Sequence, residues 1–110
     1  MTDIDTVRAA VDAYQRQDAV AADRLFAPDF VFTSPQDDHI DKAEYLKVCF
    51  PTADRFSDFE SLEMVETDNG VLSLYEYELK DGSRFRNVEL TRVRGDLIVE
   101  VQVYFGGRVG

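Results

Sequence analysis

The chain has 110 residues, and its 12 Lys and Arg against 22 Asp and Glu give a formal net charge of −10. Hydrophobic residues make up 45% and charged residues 31%, which is typical of one globular domain and excludes disordered, collagen-like and membrane classes. Because an acidic surface repels phosphate groups, the charge predicts neither a nucleic-acid partner nor a membrane partner.

Two helices are predicted at the start of the chain. A first helix is expected over residues 3–17, because apolar residues recur every three or four positions: Ile4, Val7, Val11 and Tyr14. Asp18 is a typical N-cap for a second helix over residues 19–26, and Pro28 prevents that helix from continuing.

A short strand and a third helix are expected next. The strand follows from the alternation of Phe30 and Phe32 with their neighbours. Asp41 and Glu44 have the spacing of a capping box, so a helix is predicted to begin there and to end at Pro51.

Four strands joined by short turns are predicted in the second half of the chain. The strand-like runs are residues 59–67, 71–79, 84–93 and 97–105. Each connection contains the Gly or Asn that hairpin turns favour at positive φ, namely Asp68-Asn69-Gly70, Lys80-Asp81-Gly82 and Arg94-Gly95-Asp96. The pattern therefore predicts an antiparallel meander.

Side-chain chemistry indicates the strand register. A three-residue turn at 80–82 pairs Glu78 with Arg84 and Glu76 with Arg86, so opposite charges meet on one face. The other face then carries Val71, Ser73, Tyr75, Tyr77, Phe85, Asn87, Glu89 and Thr91. An odd-length turn at 94–96 adds Val99, Val101, Val103 and Phe105 to this face. Two-residue turns would instead exchange the faces of strand 84–93.

The face with the charge pairs also carries an apolar patch. Its members are Leu72, Leu74, Val88, Leu90, Ile98 and Tyr104, with Glu76, Arg86, Arg92 and Gln102 around them. A monomer rarely leaves such a patch exposed to water, so we predict a homodimer through this face.

The only cysteine is Cys49, which cannot form an intramolecular disulfide. A free thiol suits a reducing compartment, and the first residues carry no apolar signal region. We therefore expect a cytoplasmic protein.

The order of these elements resembles the nuclear transport factor 2-like superfamily, in particular its SnoaL-like and ketosteroid isomerase-like branch. The segments that carry the resemblance are YQRQD at 14–18, ADRLFAPDF at 22–30, SP at 34–35 and VEVQVYFG at 99–106. The resemblance covers essentially the whole chain. It implies one domain over residues 1–110 with an α+β, cystatin-like fold, in which N-terminal helices and a curved antiparallel sheet form a cone.

The resemblance also implies chemistry, because members include isomerases, polyketide cyclases, dehydratases and epoxide hydrolases. Ser34 stands where the isomerases have an aspartate base before a proline. Their oxyanion-binding tyrosine falls on Ala10, with Tyr14 one turn further on, and their second oxyanion-hole acid falls on Glu89. Where limonene epoxide hydrolases have an Arg and an Asp, this chain has Asn87 and Glu89.

Glu89 is the main catalytic candidate. A carboxyl group beside Tyr75, Val101 and Val103 loses hydration, so its pKa should rise. In its neutral form it can donate a hydrogen bond to a developing oxyanion, and in its ionised form it can act as a general base. The alternatives are a buried carboxylate satisfied by Asn87 or a tyrosine hydroxyl, and a solvated residue on the outer face.

His39 is the second catalytic candidate. It lies in a loop expected beside the cavity mouth, where Asp37 or Asp38 can raise its pKa and make it a proton carrier. The alternative is a loop residue that helps to cap the third helix.

A cavity is expected between the sheet and the first and third helices. Its predicted ligand-binding residues are Tyr14, Leu46, Phe50, Tyr75, Asn87, Val101 and Val103, and the hydroxyls of Tyr14, Tyr45, Tyr75 and Tyr77 can reach it. Apolar walls with few polar groups suit a small apolar or aromatic ligand. One His and one distant Cys make no metal-ligand set, so neither a metal nor a cofactor is predicted.

Two functions are compatible with these observations. The first is cofactor-free general acid–base catalysis of the isomerase, cyclase or dehydratase type on a mostly apolar molecule. The second is a non-catalytic domain for ligand binding or dimerisation, which the absence of a base at Ser34 favours.

Overall fold

The computed structural model describes residues 1–109, which form three α-helices and one six-stranded sheet. The elements are α1 (Asp3–Arg16), α2 (Ala19–Leu25), β1 (Phe26–Thr33), β2 (Ile40–Asp41), α3 (Lys42–Val48), a 3-10 helix (Phe50–Arg55), β3 (Phe56–Thr67), β4 (Gly70–Leu79), β5 (Arg84–Arg94) and β6 (Leu97–Val109). The strand order is β2-β1-β6-β5-β4-β3. The α+β class is therefore confirmed.

The helix ends follow from their capping residues. Thr2 and Asp5 form a capping box at the start of α1, and Gln17 ends this helix in a left-handed conformation with φ 55°. The N-caps predicted at Asp18 and Asp41 are confirmed, since Asp18 accepts a hydrogen bond from the Ala21 amide and Asp41 accepts one from the Glu44 amide. The Glu44 side chain does not return the second bond of the predicted capping box. Both early helices end one residue before their predicted limits because the next residue leaves the helical conformation.

The sheet is mixed rather than wholly antiparallel. β1 pairs in parallel with β6, with Phe26 opposite Ile98 and Phe32 opposite Val101. This pairing makes β1 longer than the predicted strand around Phe30. The sequence did not indicate it, because parallel partners lie far apart in the chain and no local turn connects them.

Two further boundaries differ from the prediction. The third helix was predicted to end at Pro51, but α3 ends at Val48. Pro51 lies in the first turn of the 3-10 helix, where its missing N–H costs nothing. Phe56, which precedes the predicted strand 59–67, begins β3 opposite Leu79. β6 also runs past Phe105 to the end of the described chain.

The predicted β4–β5 register is confirmed. Glu76 lies opposite Arg86 and Glu78 lies opposite Arg84. Arg84 Nε is 2.8 Å from Glu76 Oε1, and Arg84 Nη1 is 2.7 Å from Glu78 Oε2. The charge pairs thus mark the outer face of the sheet, and the alternate residues of both strands face inward.

The β5–β6 connection corrects one prediction. Its turn has two residues, Gly95 with φ 58° and Asp96 with φ 66°, and this turn sends Ile98 inward, where it is 1% exposed. A β-bulge at Val99 then restores the alternation, so that Val101 pairs with Thr91 on the inner face. The expectation that Val99 faces inward and Ile98 outward was therefore wrong.

The core lies between the helices and the inner face of the sheet. Its buried apolar residues are Ala13, Ala22, Phe26, Phe30, Phe32, Phe50, Ile98, Val101 and Val103. Because the helices pack on this side, residues 1–109 leave the outer face uncovered. No helix in this part of the chain has the length and apolarity needed to cross a membrane.

Candidate active site

A cavity of about 750 Å³ lies between the inner face of the sheet and the helices. The helical segments contribute Val7, Ala10, Val11, Tyr14, Tyr45, Val48, Phe50, Thr52 and Arg55. The inner faces of β4, β5 and β6 contribute Ser73, Tyr75, Tyr77, Phe85, Asn87, Glu89, Thr91, Ile98, Val101, Val103 and Phe105. Gln36, Arg55 and Phe105 are exposed and belong to its rim, whereas Asn87 and Thr91 are buried.

The Glu89 side chain faces this cavity from the middle of β5. The residue is half-buried, and its cross-strand neighbours are Ser73 on β4 and Val103 on β6. Within residues 1–109 its carboxyl group has no hydrogen-bond partner and no ion pair. Burial alone raises its pKa from the usual 4.5 to about 7.

The alternation of β5 explains why Glu89 has no counter-ion. Arg84, Arg86 and Arg92 are an even number of residues apart from one another, so all three point to the outer face. There they pair with carboxylates of β4 and β6, namely Glu76, Glu78 and Glu100. The inner face of the same strand therefore carries a carboxyl group and no cation.

Tyr14 reaches the cavity from α1, but its hydroxyl is already hydrogen-bonded. Thr52 Oγ1 donates to the Cys49 carbonyl over 2.7 Å, so Tyr14 donates to Thr52 Oγ1 over 2.6 Å. Burial raises the pKa of Tyr14 to about 12, and this hydroxyl stays neutral at physiological pH. Its ring packs edge-on against Phe50 and Phe56.

Tyr75 has a hydroxyl proton available for a ligand. The Asn87 amide donates to the Tyr75 oxygen over 3.3 Å, and the Asn87 carbonyl oxygen accepts a 3.4 Å hydrogen bond from the Gly106 amide. These contacts fix Asn87 and use only an acceptor site of Tyr75. Burial, together with the nearby Glu89 carboxyl, raises the pKa of Tyr75, so the group is a neutral donor.

Aromatic rings form one wall of the cavity. Phe56 stacks on Tyr77 with ring centroids 4.7 Å apart and an angle of 22° between the ring planes. The ring centroids of Tyr77 and Phe85 are 5.5 Å apart, with an interplanar angle of 24°. Phe59 stacks on Tyr75 at 5.2 Å. Nearly parallel rings on neighbouring strands present a flat apolar surface, which suits a planar ligand.

A fourth tyrosine lines the opposite side of the cavity. Tyr45 on α3 packs against three core phenylalanines, with centroid distances of 5.3 Å to Phe26, 5.1 Å to Phe30 and 4.9 Å to Phe32. Burial and the Glu89 carboxyl both raise its pKa. All four tyrosines expected to reach the cavity therefore line it.

Two predicted site residues lie elsewhere. Leu46 packs against the core and does not line the cavity, because α3 presents Tyr45 there instead. His39 does not line it either: its side chain is 67% exposed, and its Nδ1 lies 2.6 Å from Asp38 Oδ1. The same loop brings Asp37 to the rim, where Oδ2 is 3.7 Å from the Cys49 thiol.

Sequence reasoning missed the contribution of β3 to the cavity. Phe56, Phe59, Ser61 and Met64 line it, although strict alternation from Phe59 would place Glu63 inward. Bulges between Phe56 and Asp58 and between Ser61 and Glu63 change the parity of the strand. No local pattern indicated that Met64 faces inward, because its neighbour Val65 is equally apolar but exposed.

The sequence profile of the SnoaL-like domain family matches residues 7–101. No curated protein sequence matches the chain.

Several solved structures share the fold. An NTF2-like protein of unknown function from Mesorhizobium loti has a TM-score of 0.81 and 23% identity, over 96% of this chain and 91% of that chain. A putative ketosteroid isomerase from Kribbella flavida has a TM-score of 0.77 and 16% identity, over 96% and 78% of the two chains. An epoxide hydrolase of M. tuberculosis, described as LEH-like, has a TM-score of 0.76 and 17% identity, over 94% and 81%.

Proposed function

Because the chain belongs to the SnoaL-like domain family, we propose that it is a cofactor-free enzyme that performs general acid–base chemistry on a small, mostly apolar molecule held in the cavity. Glu89 is the proposed acid–base group. The reaction is of the isomerase, cyclase or dehydratase type. In such reactions an acid–base group removes a proton from, or adds one to, a carbon or oxygen atom of the substrate, and no metal is required.

The observation that carries this proposal is the environment of the Glu89 carboxyl. It faces the cavity without an ion pair among residues 1–109, and its pKa of about 7 makes both protonation states available near neutral pH. Efficient proton transfer requires a group of this kind, whose pKa lies close to the working pH. A carboxylate with a purely structural role would be paired or hydrogen-bonded.

The other cavity groups suit the same chemistry. Tyr75 can donate its hydroxyl proton to an oxygen that becomes negative during the reaction, and Asn87 holds that tyrosine in place. The stacked rings of Phe56, Phe59 and Tyr77 offer a flat surface to an aromatic or conjugated substrate. The similar structures described as a putative ketosteroid isomerase and an LEH-like epoxide hydrolase favour small apolar substrates as a class.

The experiment combines a titration with an assay. The pKa of Glu89, followed by carboxyl ¹³C chemical shift in the whole protein, should be near 7; a value near 4.5 would contradict the proposal. Turnover is then screened with a β,γ-unsaturated ketosteroid for isomerisation and with an aromatic β-hydroxyketone for dehydration. Glu89→Gln keeps the size of the side chain but cannot transfer a proton, so it should lower kcat by about a hundredfold to ten-thousandfold.

Glu60→Gln is the matched control, because Glu60 is an exposed residue of β3 and the substitution makes the same chemical change. It should leave kcat unchanged. Full activity in Glu89→Gln would remove the proposed role of Glu89.

A second candidate function is non-catalytic binding of the same class of ligand. The observation in its favour is at Ser34, where related isomerases have their base. The Ser34 hydroxyl accepts hydrogen bonds from the backbone amides of Gln36, at 3.1 Å, and Asp37, at 3.2 Å, so it serves a turn. If the protein binds the tested substrates but converts none of them, this result would favour the non-catalytic function.

We also propose the cytoplasm as the location of the protein. Cys49 is a free, half-buried thiol, and burial raises its pKa to about 12. Such a thiol stays protonated and unreactive, and it suits a reducing compartment.

A further inference from the structure

The hydroxyl group of Ser73 is an unexplained polar group in the cavity wall. Ser73 lies in the middle of β4, is 3% exposed and lines the cavity. Its Oγ is the buried side-chain polar atom that has no hydrogen-bond partner anywhere in residues 1–109. Most buried hydroxyls in folded proteins are hydrogen-bonded, so this one requires an explanation.

The sheet register places this hydroxyl next to the proposed acid–base group. Ser73 lies directly opposite Glu89 on β5 and opposite Met64 on β3. Side chains of directly opposed residues have Cβ atoms about 5 Å apart. Since Glu89 also has no partner among the described residues, two unpartnered polar groups stand side by side on the cavity wall, between Asn87 and Thr91 of the same face.

We propose that Ser73 is a substrate-binding residue whose hydroxyl forms a hydrogen bond with the ligand oxygen that faces Glu89. The ligand is then an oxygen-bearing molecule, such as a phenol, an enol or a ketone, and a hydrocarbon of the same shape is bound less well. This inference rests on the proposed function for the role of Glu89 and adds a residue that selects the ligand.

The energetic reason is that a buried polar group without a hydrogen bond costs more free energy than a typical hydrogen bond contributes. A buried hydroxyl without a partner keeps the full cost of its desolvation in the empty protein. A ligand oxygen at this position removes that cost on binding, whereas an apolar group leaves it in place. The difference favours the oxygen-bearing ligand.

The binding test uses two probes of similar shape, 2-naphthol and 2-methylnaphthalene, titrated into the whole protein and followed by calorimetry. Ser73→Ala should weaken 2-naphthol binding about tenfold and change the binding of 2-methylnaphthalene less than about twofold. Ser57→Ala is the matched control, because Ser57 is an exposed serine of β3 that does not line the cavity. It should change neither affinity.

Thermal unfolding provides a second measurement that needs no ligand. If Ser73 Oγ is unpartnered in solution, Ser73→Ala should raise the Tm by about 4 °C relative to the unaltered protein, since the variant removes a buried polar atom that makes no hydrogen bond. A structural hydroxyl would give the opposite sign, because its removal would break a hydrogen bond and lower the Tm.

Three results would overturn the inference: a lower Tm for Ser73→Ala, an equal effect of Ser73→Ala on both probes, or no binding of 2-naphthol to the unaltered protein. These results are separate from a failure of the proposed function. If Glu89 titrates near 4.5 while Ser73→Ala behaves as expected, the acid–base role fails and the Ser73 contact stands.

Discussion

The Glu89 carboxyl links the stability of the protein to pH. Its pKa is about 7 in the folded protein, against 4.5 for an ordinary glutamate, so the folded state holds the proton more tightly than the unfolded state does. Its contribution to stability is therefore complete below pH 4.5 and is lost as the pH rises to about 7. One pKa unit corresponds to about 1.4 kcal/mol, which makes the loss on the order of 3 kcal/mol.

The free energy of unfolding should consequently fall between about pH 5 and pH 7 and level off above that range. In Glu89→Gln this fall should be absent, because the amide does not ionise. Urea unfolding at several pH values measures both curves. Below about pH 4.5 other groups dominate, since hydrogen bonds lower the pKa values of Asp5, Glu76 and Asp81. Parallel curves for the two proteins above pH 5 would show that Glu89 is solvated.

Among the elements, the central strands were predictable and the edges of the cavity were not. Capping at Asp18 and Asp41 and the charge pairs of β4 and β5 are local signals, and they placed Glu89 and Asn87 on the correct face. β-bulges in β3 and at Val99 change which residues of each strand face inward, and no local sequence signal is strong enough to reveal them. The parallel pairing of β1 and the position of Leu46 depend on tertiary packing, which periodicity does not encode.

The pairing of β5 with β6 depends on one glycine near the cavity. A Cβ atom at Gly106 would overlap the carbonyl oxygen of Arg86, and the Gly106 amide donates to Asn87 Oδ1. Any side chain at this position must therefore push the two strands apart and displace Asn87.

Gly106→Ala should destabilise the protein by about 1–3 kcal/mol, the usual cost of forcing a backbone shift. The side-chain amide signals of Asn87 should shift in the same variant, as seen by ¹⁵N NMR. Arg108→Ala is the control, because it alters an exposed residue of the same strand. Unchanged stability in Gly106→Ala would mean that the strands lie further apart than described.

For the whole molecule, the outer face of the sheet is the side that the helices of residues 1–109 leave uncovered. Its centre carries Leu72 opposite Leu90 and Leu74 opposite Val88, and exposed Tyr104 extends this apolar patch. Ion pairs surround it, including Arg86 with Glu76 and Arg92 with Glu100. Ile98, expected in the patch, belongs to the core instead.

We propose that two copies of the chain associate through this face. Leu74→Lys should convert the dimer to a monomer in sedimentation at micromolar concentration, because a buried lysine charge at the centre would have no partner. Val20→Lys, an equally large change on exposed α2, should leave the dimer intact. Added salt should strengthen association, since each copy carries a net charge of −10. A monomeric mass for the unaltered protein would contradict the proposal.

The parallel pairing of β1 with β6 has a consequence for how the chain is made. During synthesis the helices and β1 leave the ribosome before β6, so Phe30 and Phe32 can pack against Tyr45 of α3 before their other partners, Ile98, Val101 and Val103, have been made. The nascent chain thus keeps β1 without its parallel neighbour until β6 has been synthesised. The pairing of β1 with β6 closes a long loop between distant parts of the sequence, so this topology folds more slowly than a meander alone would.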